Sequence, residues 1–558
     1  MSVKTKKIIS LISAVAIVLS ITGCEKTDSS STDESSKAET TRANITTAPV
    51  VETLGDFDLS DVVIENKAPA DYKQTIEAED GKLSGDAVST DKNFLGDFTG
   101  KGFVSLFHAT DKIDLDVEIP EDGSYDVNLV SAADQAGSSC QISIDGAALV
   151  TSKINSTELS DNIAEKVLLK KGKHTITLNP KDDMKGIYID SITFTSAKAV
   201  DLEQYKVSNE LSNKNATEET KRLYNFLTDV YGKYTISGQY VNSSNGEGKN
   251  SREIKEIKRT LGATPAILGL DLIEASPSRI AKGSSEASGQ MIAAQAMDWW
   301  NNEGGIVTLC WHWNAPEPYL EANGKPWFQG FNQEATSFSL AKALNGEDKE
   351  GYDYLLRDID AIAEALITLD DNHVPILWRP LHEGGGDPQW NNPWFWWGAS
   401  GADAYKELWK LMYDRLTNYH HINNLIWVWN GQNPQYYPGD EYVDILGYDI
   451  YPDEHDSSSQ KDKYDFTQST TETKKIVALT ENGALFDPDI AFNDGARWAW
   501  FCTWNGEFTL KDMQLSDQYT SFDLWKKIYS SEHVLTLEEL PDLKNYPLDT
   551  EKFLEENK

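Results

Sequence analysis

Eight short apolar runs recur between residues 217 and 535, and a polar or aromatic residue stands where each one stops. They read YTISGQ, PAILGLDL, GIVTLCWHW, VPILWRPLHE, NLIWVWN, VDILGYDIY, KIVALTE and RWAWFCTW. Amphipathic stretches such as SREIKEIKRTLG and DAYKELWKLMYDRLTNYH lie between several of them. Strand-like runs alternating with helices, eight in number, predict an α/β fold of the (β/α)8 TIM barrel type. The link between the fifth and sixth runs is too short for a helix, and an open doubly wound sheet is the alternative arrangement.

The rest of the chain reads differently. Residues 1–24 open with Lys4, Lys6 and Lys7, continue as an apolar run from Ile8 and end in small residues before Cys24, the pattern of an export signal. Residues 25–70 are rich in Ser, Thr, Asp and Glu, too polar to bury anything, and predict a flexible tether. Between 71 and 198, short alternating segments such as KIDLDVEIPEDGSYDVNLVSA, broken by Gly, Asp and Asn, predict a small β-sandwich. Residues 536–558 are left as a C-terminal tail. Beyond Cys24 there are only Cys140, Cys310 and Cys502, an odd number without C-x-x-C spacing, so disulfides are not expected to organise the fold. No stretch after the export signal is apolar for long enough to span a bilayer.

Composition narrows the class of partner. The 89 acidic against 51 basic residues give a net charge of −38, which repels phosphate backbones and argues against nucleic acid. A neutral polymer is indifferent to that charge. The 17 Trp and 23 Tyr supply flat apolar faces with polar edges, which suit sugar rings.

In such a barrel the site lies at the C-terminal ends of the strands. The residues there are Gln239, Asp271, His312, His382 with Glu383, Asn430, Asp449 with Tyr451, Glu481 and Trp504. Glu383 and Glu481 end the fourth and seventh runs, across the mouth from each other. Two opposed carboxyl groups are what glycoside hydrolysis needs, one protonated to help the alcohol leave and one ionised. Tryptophans downstream of Glu383 (Trp390, Trp394, Trp396, Trp397) can exclude water and raise one carboxyl's pKa. A phenol such as Tyr451 can hydrogen-bond the other.

RPLHE followed by WFWWG, together with GIVTLCWHWNAP, PAILGLDLIEASPSR, ALTENG and WAWFCTWNGEF, resembles glycoside hydrolase family 26, most of all its β-mannanases, over residues 217–535. The resemblance implies a retaining enzyme with Glu383 as acid/base and Glu481 as nucleophile. It implies that His312, Trp313, His382, Trp394, Asp449, Tyr451 and Trp504 contact the substrate and that Arg379 orients the carboxylates. The spacer GGGDPQWNNP after Glu383 looks longer than the family's usual one. The mannan preference rests on WHWNAP and on SPSR around Arg279. Residues 71–198 are similar to carbohydrate-binding modules of the family 6 and 35 type through IEAEDGKLSG, FTGKGFVSL and GIYIDSITF, which implies a structural calcium held by Glu77, Glu79 and Asp190. Phe103, Phe107 and Tyr188 are its candidate aromatics. Ile21-Thr22-Gly23-Cys24 resembles a lipobox, which implies a lipid anchor at Cys24 on the outer face of the cell membrane. The expectation is therefore a monomeric, membrane-anchored endo-β-1,4-mannanase needing no cofactor for catalysis. The same mechanism on mixed-linkage glucan or β-1,3-xylan, and a non-catalytic glycan-binding lipoprotein, are the alternatives.

Overall fold

The computed structural model describes residues 50–62, 66–181, 185–388 and 392–557. Cys24, the export segment and Trp390 lie outside the described residues.

Eight parallel strands close into a barrel: β1 (Gly238–Tyr240), β2 (Ile267–Asp271), β3 (Ile306–Cys310), β4 (Ile376–Arg379), β5 (Leu425–Trp429), β6 (Ile445–Ile450), β7 (Ile476–Asn482) and β8 (Phe501–Thr503). Gln239 pairs with Thr503 and joins β1 to β8, so the sheet has no open edge and the doubly wound alternative is set aside. The strands are apolar on both faces because helices cover the outside and side chains fill the inside. Leu268, Val307, Leu377, Ile426 and Val477 are all fully buried. The covering helices follow from their caps and spacing. Ser251 Oγ accepts from Ile254 N to start the helix Arg252–Leu261, Ile254 and Ile257 turn inward, and Gly262 ends it at φ +82°. Between β5 and β6 only two 3-10 turns occur, as the short link predicts.

Eleven strands between Lys73 and Ser196 form two antiparallel sheets, six strands in one and five in the other. The strand Lys112–Ile119 buries Ile113, Leu115, Val117 and Ile119 and exposes Lys112, Asp116 and Glu118, the period of two that a half-covered strand requires. Cys140, Cys310 and Cys502 are free and buried.

The sandwich packs on the helix Pro488–Asp494, which follows β7. Asn493 Nδ2 donates to Ser124 Oγ at 3.0 Å and to the Lys166 carbonyl. Residues 536–558 are partly built into the barrel's outer layer: Leu543 and Tyr546 are buried, and the Tyr546 ring lies 5.3 Å from Phe226. Among the described residues no helix is long and apolar enough to cross a membrane.

Candidate active site

Arg379 is the last residue of β4, wholly buried, and three groups converge on its guanidinium. Nη1 donates to Asp449 Oδ2 at 2.8 Å, Nη2 donates to Glu481 Oε1, and Nε and Nη2 reach the Tyr240 hydroxyl at 3.3 and 3.1 Å. One buried cation therefore ties together the ends of β1, β4, β6 and β7. Asp449 accepts a further 2.6 Å bond from Thr480 Oγ1. Tyr451, two residues on, donates its hydroxyl to Glu481 Oε2 at 2.6 Å.

Glu383 sits just past β4 in a backbone held against its preference. Leu381 and Glu383 have φ of +50° and +54°, a left-handed conformation that costs a residue other than glycine about 1–3 kcal/mol. The turn is pinned at every step. The Tyr405 hydroxyl and Trp397 Nε1 donate to the carbonyls of Leu381 and His382, both at 2.9 Å, and Glu383 N donates to the Asn430 carbonyl at 2.8 Å. The glycines that follow serve the same crossing: a Cβ on Gly398 would lie 1.6 Å from the Gly384 carbonyl oxygen. The Glu383 carboxyl accepts from Trp394 Nε1 at 2.7 Å.

Glu383, Asp449 and Glu481 each offer an oxygen within 4.8 Å of the other two, and Arg379 supplies the charge such a trio needs. The two glutamates are unequal. Burial, then the charges of Asp449 and Glu481, hold the Glu383 carboxyl well above the usual carboxylate range. Burial also lifts Glu481, to about 7, but Arg379 pulls it back and the Tyr451 hydrogen bond favours its ionised form. At neutral pH the proton therefore belongs on Glu383.

His312, beyond β3, donates Nδ1–H to Asp271 Oδ2 at 2.7 Å and faces His382. Trp504 lies 4.8 Å from the Tyr240 ring and 5.8 Å from the His312 ring. Thus Arg379, Glu383, Asp449, Tyr451, Glu481, His312, His382, Trp394 and Trp504 gather at one mouth. Trp313 does not line it, contrary to expectation: it is fully buried, stacked at 4.3 Å on Trp311, with Nε1 on Asp358 Oδ2 at 2.9 Å. Arg279 is also buried, bonded to Glu274 Oε1 and the Phe328 carbonyl. It braces a loop, so the sugar preference is not read from its side chain. Tyr240 was not foreseen, although its place one residue past Gln239 at a strand end marks it.

In the sandwich, Glu77, Glu79 and Asp190 surround the segment Thr99–Lys101. Thr99 Oγ1 donates to Glu77 Oε2 at 2.8 Å and to Asp190 Oδ2 at 2.9 Å, and Lys101 N donates to Glu79 Oε1 at 2.5 Å. Glu79 Oε2 is buried without a hydrogen-bond partner. Phe103 is buried, Tyr188 is nearly so, and Phe107 is 38% exposed.

Glycosyl hydrolase family 26 matches residues 212–539, and carbohydrate binding module family 35 matches residues 74–193. The mannan endo-1,4-beta-mannosidase of Thermothelomyces thermophilus is 36% identical over 85% of this chain and 91% of its own. Among solved structures, the Podospora anserina GH26-CBM35 beta-(1,4)-mannanase is 33% identical, covering 85% of this chain and all of that one, with a TM-score of 0.61. A ruminal GH26 endo-beta-1,4-mannanase is 31% identical, covering 86% and 99%, with a TM-score of 0.62.

Proposed function

This chain belongs to glycoside hydrolase family 26, and from that premise and its two unequal glutamates we infer an endo-β-1,4-mannanase that retains anomeric configuration. It hydrolyses internal β-1,4-mannosidic bonds in mannan, glucomannan or galactomannan. The observation that carries the mechanism is the approach of the Glu383 and Glu481 oxygens within 4.8 Å. Retaining enzymes hold their carboxyl groups about 5–5.5 Å apart, whereas inverting ones leave about 6.5–9.5 Å for a water.

In the first step Glu481 attacks the anomeric carbon, the bond to the leaving oxygen breaks, and Glu383 gives that oxygen its proton. In the second, Glu383 takes a proton from water, which attacks the same carbon and releases Glu481. Both steps use only carboxyl groups, so catalysis requires no cofactor. Arg379 and Tyr451 stabilise Glu481 as it is regenerated, and Trp394, Trp504, His312 and Asp449 border the reacting sugar. Reducing-sugar release from linear mannan, glucomannan, lichenan and β-1,3-xylan, by the enzyme and by Glu383→Ala, tests this. Release from the mannans, lost in the variant, is expected; release from lichenan or xylan alone refutes the substrate.

A calcium ion held by Glu77, Glu79 and Asp190 suits the sandwich. Burial and the neighbouring carboxylates raise Glu77 and Asp190, strain that a hard cation relieves, and Glu79 Oε2 has a free lone pair for it. Titration of metal-stripped protein with calcium, followed by calorimetry, is expected to give one site lost in Glu79→Gln. Export and lipid anchoring through Cys24 rest on its basic and apolar leader. Cys24→Ser is expected to move the enzyme from the membrane fraction to the medium.

A further inference from the structure

Asp271 ends β2 well away from Glu383 in the chain, yet a line of hydrogen bonds runs from it through His312 to His382, the residue that precedes the acid. Asp271 Oδ1 accepts from the backbone N–H of Ile273 at 2.9 Å and of His312 at 3.1 Å, and its Oδ2 accepts from His312 Nδ1. With His312 Nδ1–H directed at Asp271, its Nε2 turns toward His382 Nε2, 3.2 Å away. The His382 imidazole is fully buried, and burial holds it neutral, so it carries a single N–H. Its Nδ1 is enclosed and has no hydrogen-bond partner. An orphaned buried N–H is costlier than an orphaned lone pair, so the network assigns that single N–H to Nε2, donating to His312. The line runs in one direction, His382 to His312 to Asp271.

We propose that Asp271 is a positioning residue for the acid Glu383, acting through the imidazoles of His312 and His382. His382 is the middle residue of the turn in which both Leu381 and Glu383 have positive φ. Such a turn persists only where its surroundings over-determine it. The carbonyls and Glu383 N are held by Tyr405, Trp397 and Asn430; the His382 ring packs against Phe395 and Trp397, and this line supplies the hydrogen bond that fixes its orientation between them. Asparagine in place of Asp271 presents an N–H either to the backbone donors or to His312 Nδ1. The second case reverses the His312 tautomer, sets N–H against N–H at His382, and frees the turn that carries the acid.

The proposal rests on the reading of Glu383 as the acid, and its test separates the two. Turnover of mannopentaose by the unsubstituted enzyme checks the mannanase reading first. Then kcat/KM of Asp271→Asn is compared on mannopentaose, whose leaving alkoxide needs a proton, and on 2,4-dinitrophenyl β-mannobioside, whose leaving group does not. A general acid contributes about 10²–10⁴-fold, so a loss of about 100-fold on mannopentaose and less than about threefold on the aryl glycoside is expected. Fluoride released in a burst from a 2-deoxy-2-fluoro-mannosyl fluoride counts the competent sites, and the ratio of the two constants is independent of the folded fraction. Asp271→Glu, which keeps the charge, is read by the same ratio if the first variant yields too little protein, with a selective loss of about tenfold expected. Equal losses on both substrates, or no loss on either, overturn the proposal.

Discussion

The indole N–H of Trp394 donates to Oε2 of Glu383 at 2.7 Å, across a loop that returns to the acid eleven residues later. That bond favours the ionised carboxylate and so opposes the burial and the charges of Asp449 and Glu481, which favour the protonated form. The acid thus holds its proton in the first step, and the indole helps it bear the negative charge with which it acts as a base in the second.

Trp394→Phe removes a hydrogen bond that lowers the Glu383 pKa. The pKa then rises further, and because activity is lost as the acid deprotonates, the basic limb of kcat/KM moves to higher pH, by about one unit for a lost charge-assisted bond. A pH profile on soluble glucomannan measures it. A limb that stays or moves down contradicts the role given to this indole.

Tyr451→Phe acts on the other limb. The phenol lowers the pKa of Glu481, so its loss raises that pKa, and the acidic limb, where the nucleophile gains its proton, moves to higher pH. A fall of about tenfold or more in kcat/KM at pH 6 is expected from one lost hydrogen bond to a charged group. An unshifted acidic limb removes Tyr451 from the account.

Glu481→Ala is expected to abolish turnover while leaving glycan binding. With azide and an activated mannoside it should form a glycosyl azide of inverted configuration, since azide enters the space the carboxylate vacates. Glu383→Ala should give the β-azide instead. Product configuration by NMR decides, and activity retained by Glu481→Ala sinks the nucleophile assignment.

Asn493→Ala removes two hydrogen bonds between the sandwich and the barrel, at Ser124 and Lys166. Leaving the buried Ser124 hydroxyl unmatched costs about 1–3 kcal/mol, read as a lower denaturation midpoint with kcat unchanged. An unaltered midpoint means that other contacts carry the junction.

Much of this was legible before the structure because barrel strands are apolar on both faces and stop at a functional residue. Glu383, Glu481, Asp449 and Tyr451 each stand at such a stop. What was not legible depends on the direction a side chain takes. Trp313 and Trp394 stand beside equally telling motifs, yet one is sealed against Trp311 and the other reaches the acid. Arg279 looks like a sugar ligand in sequence, and only its buried pairing with Glu274 reveals a brace. The role of Tyr240 depends on Arg379, 139 positions away, and no local pattern encodes that distance.

The central claim is double displacement at Glu481, and the anomeric configuration of the first product tests it most directly. Mannopentaose is hydrolysed in deuterated water and followed by proton NMR before mutarotation sets in. The β-anomer is predicted to appear first and the α-anomer only later. Initial appearance of the α-anomer would mean single displacement by water and would contradict the pairing of Glu383 with Glu481 described above.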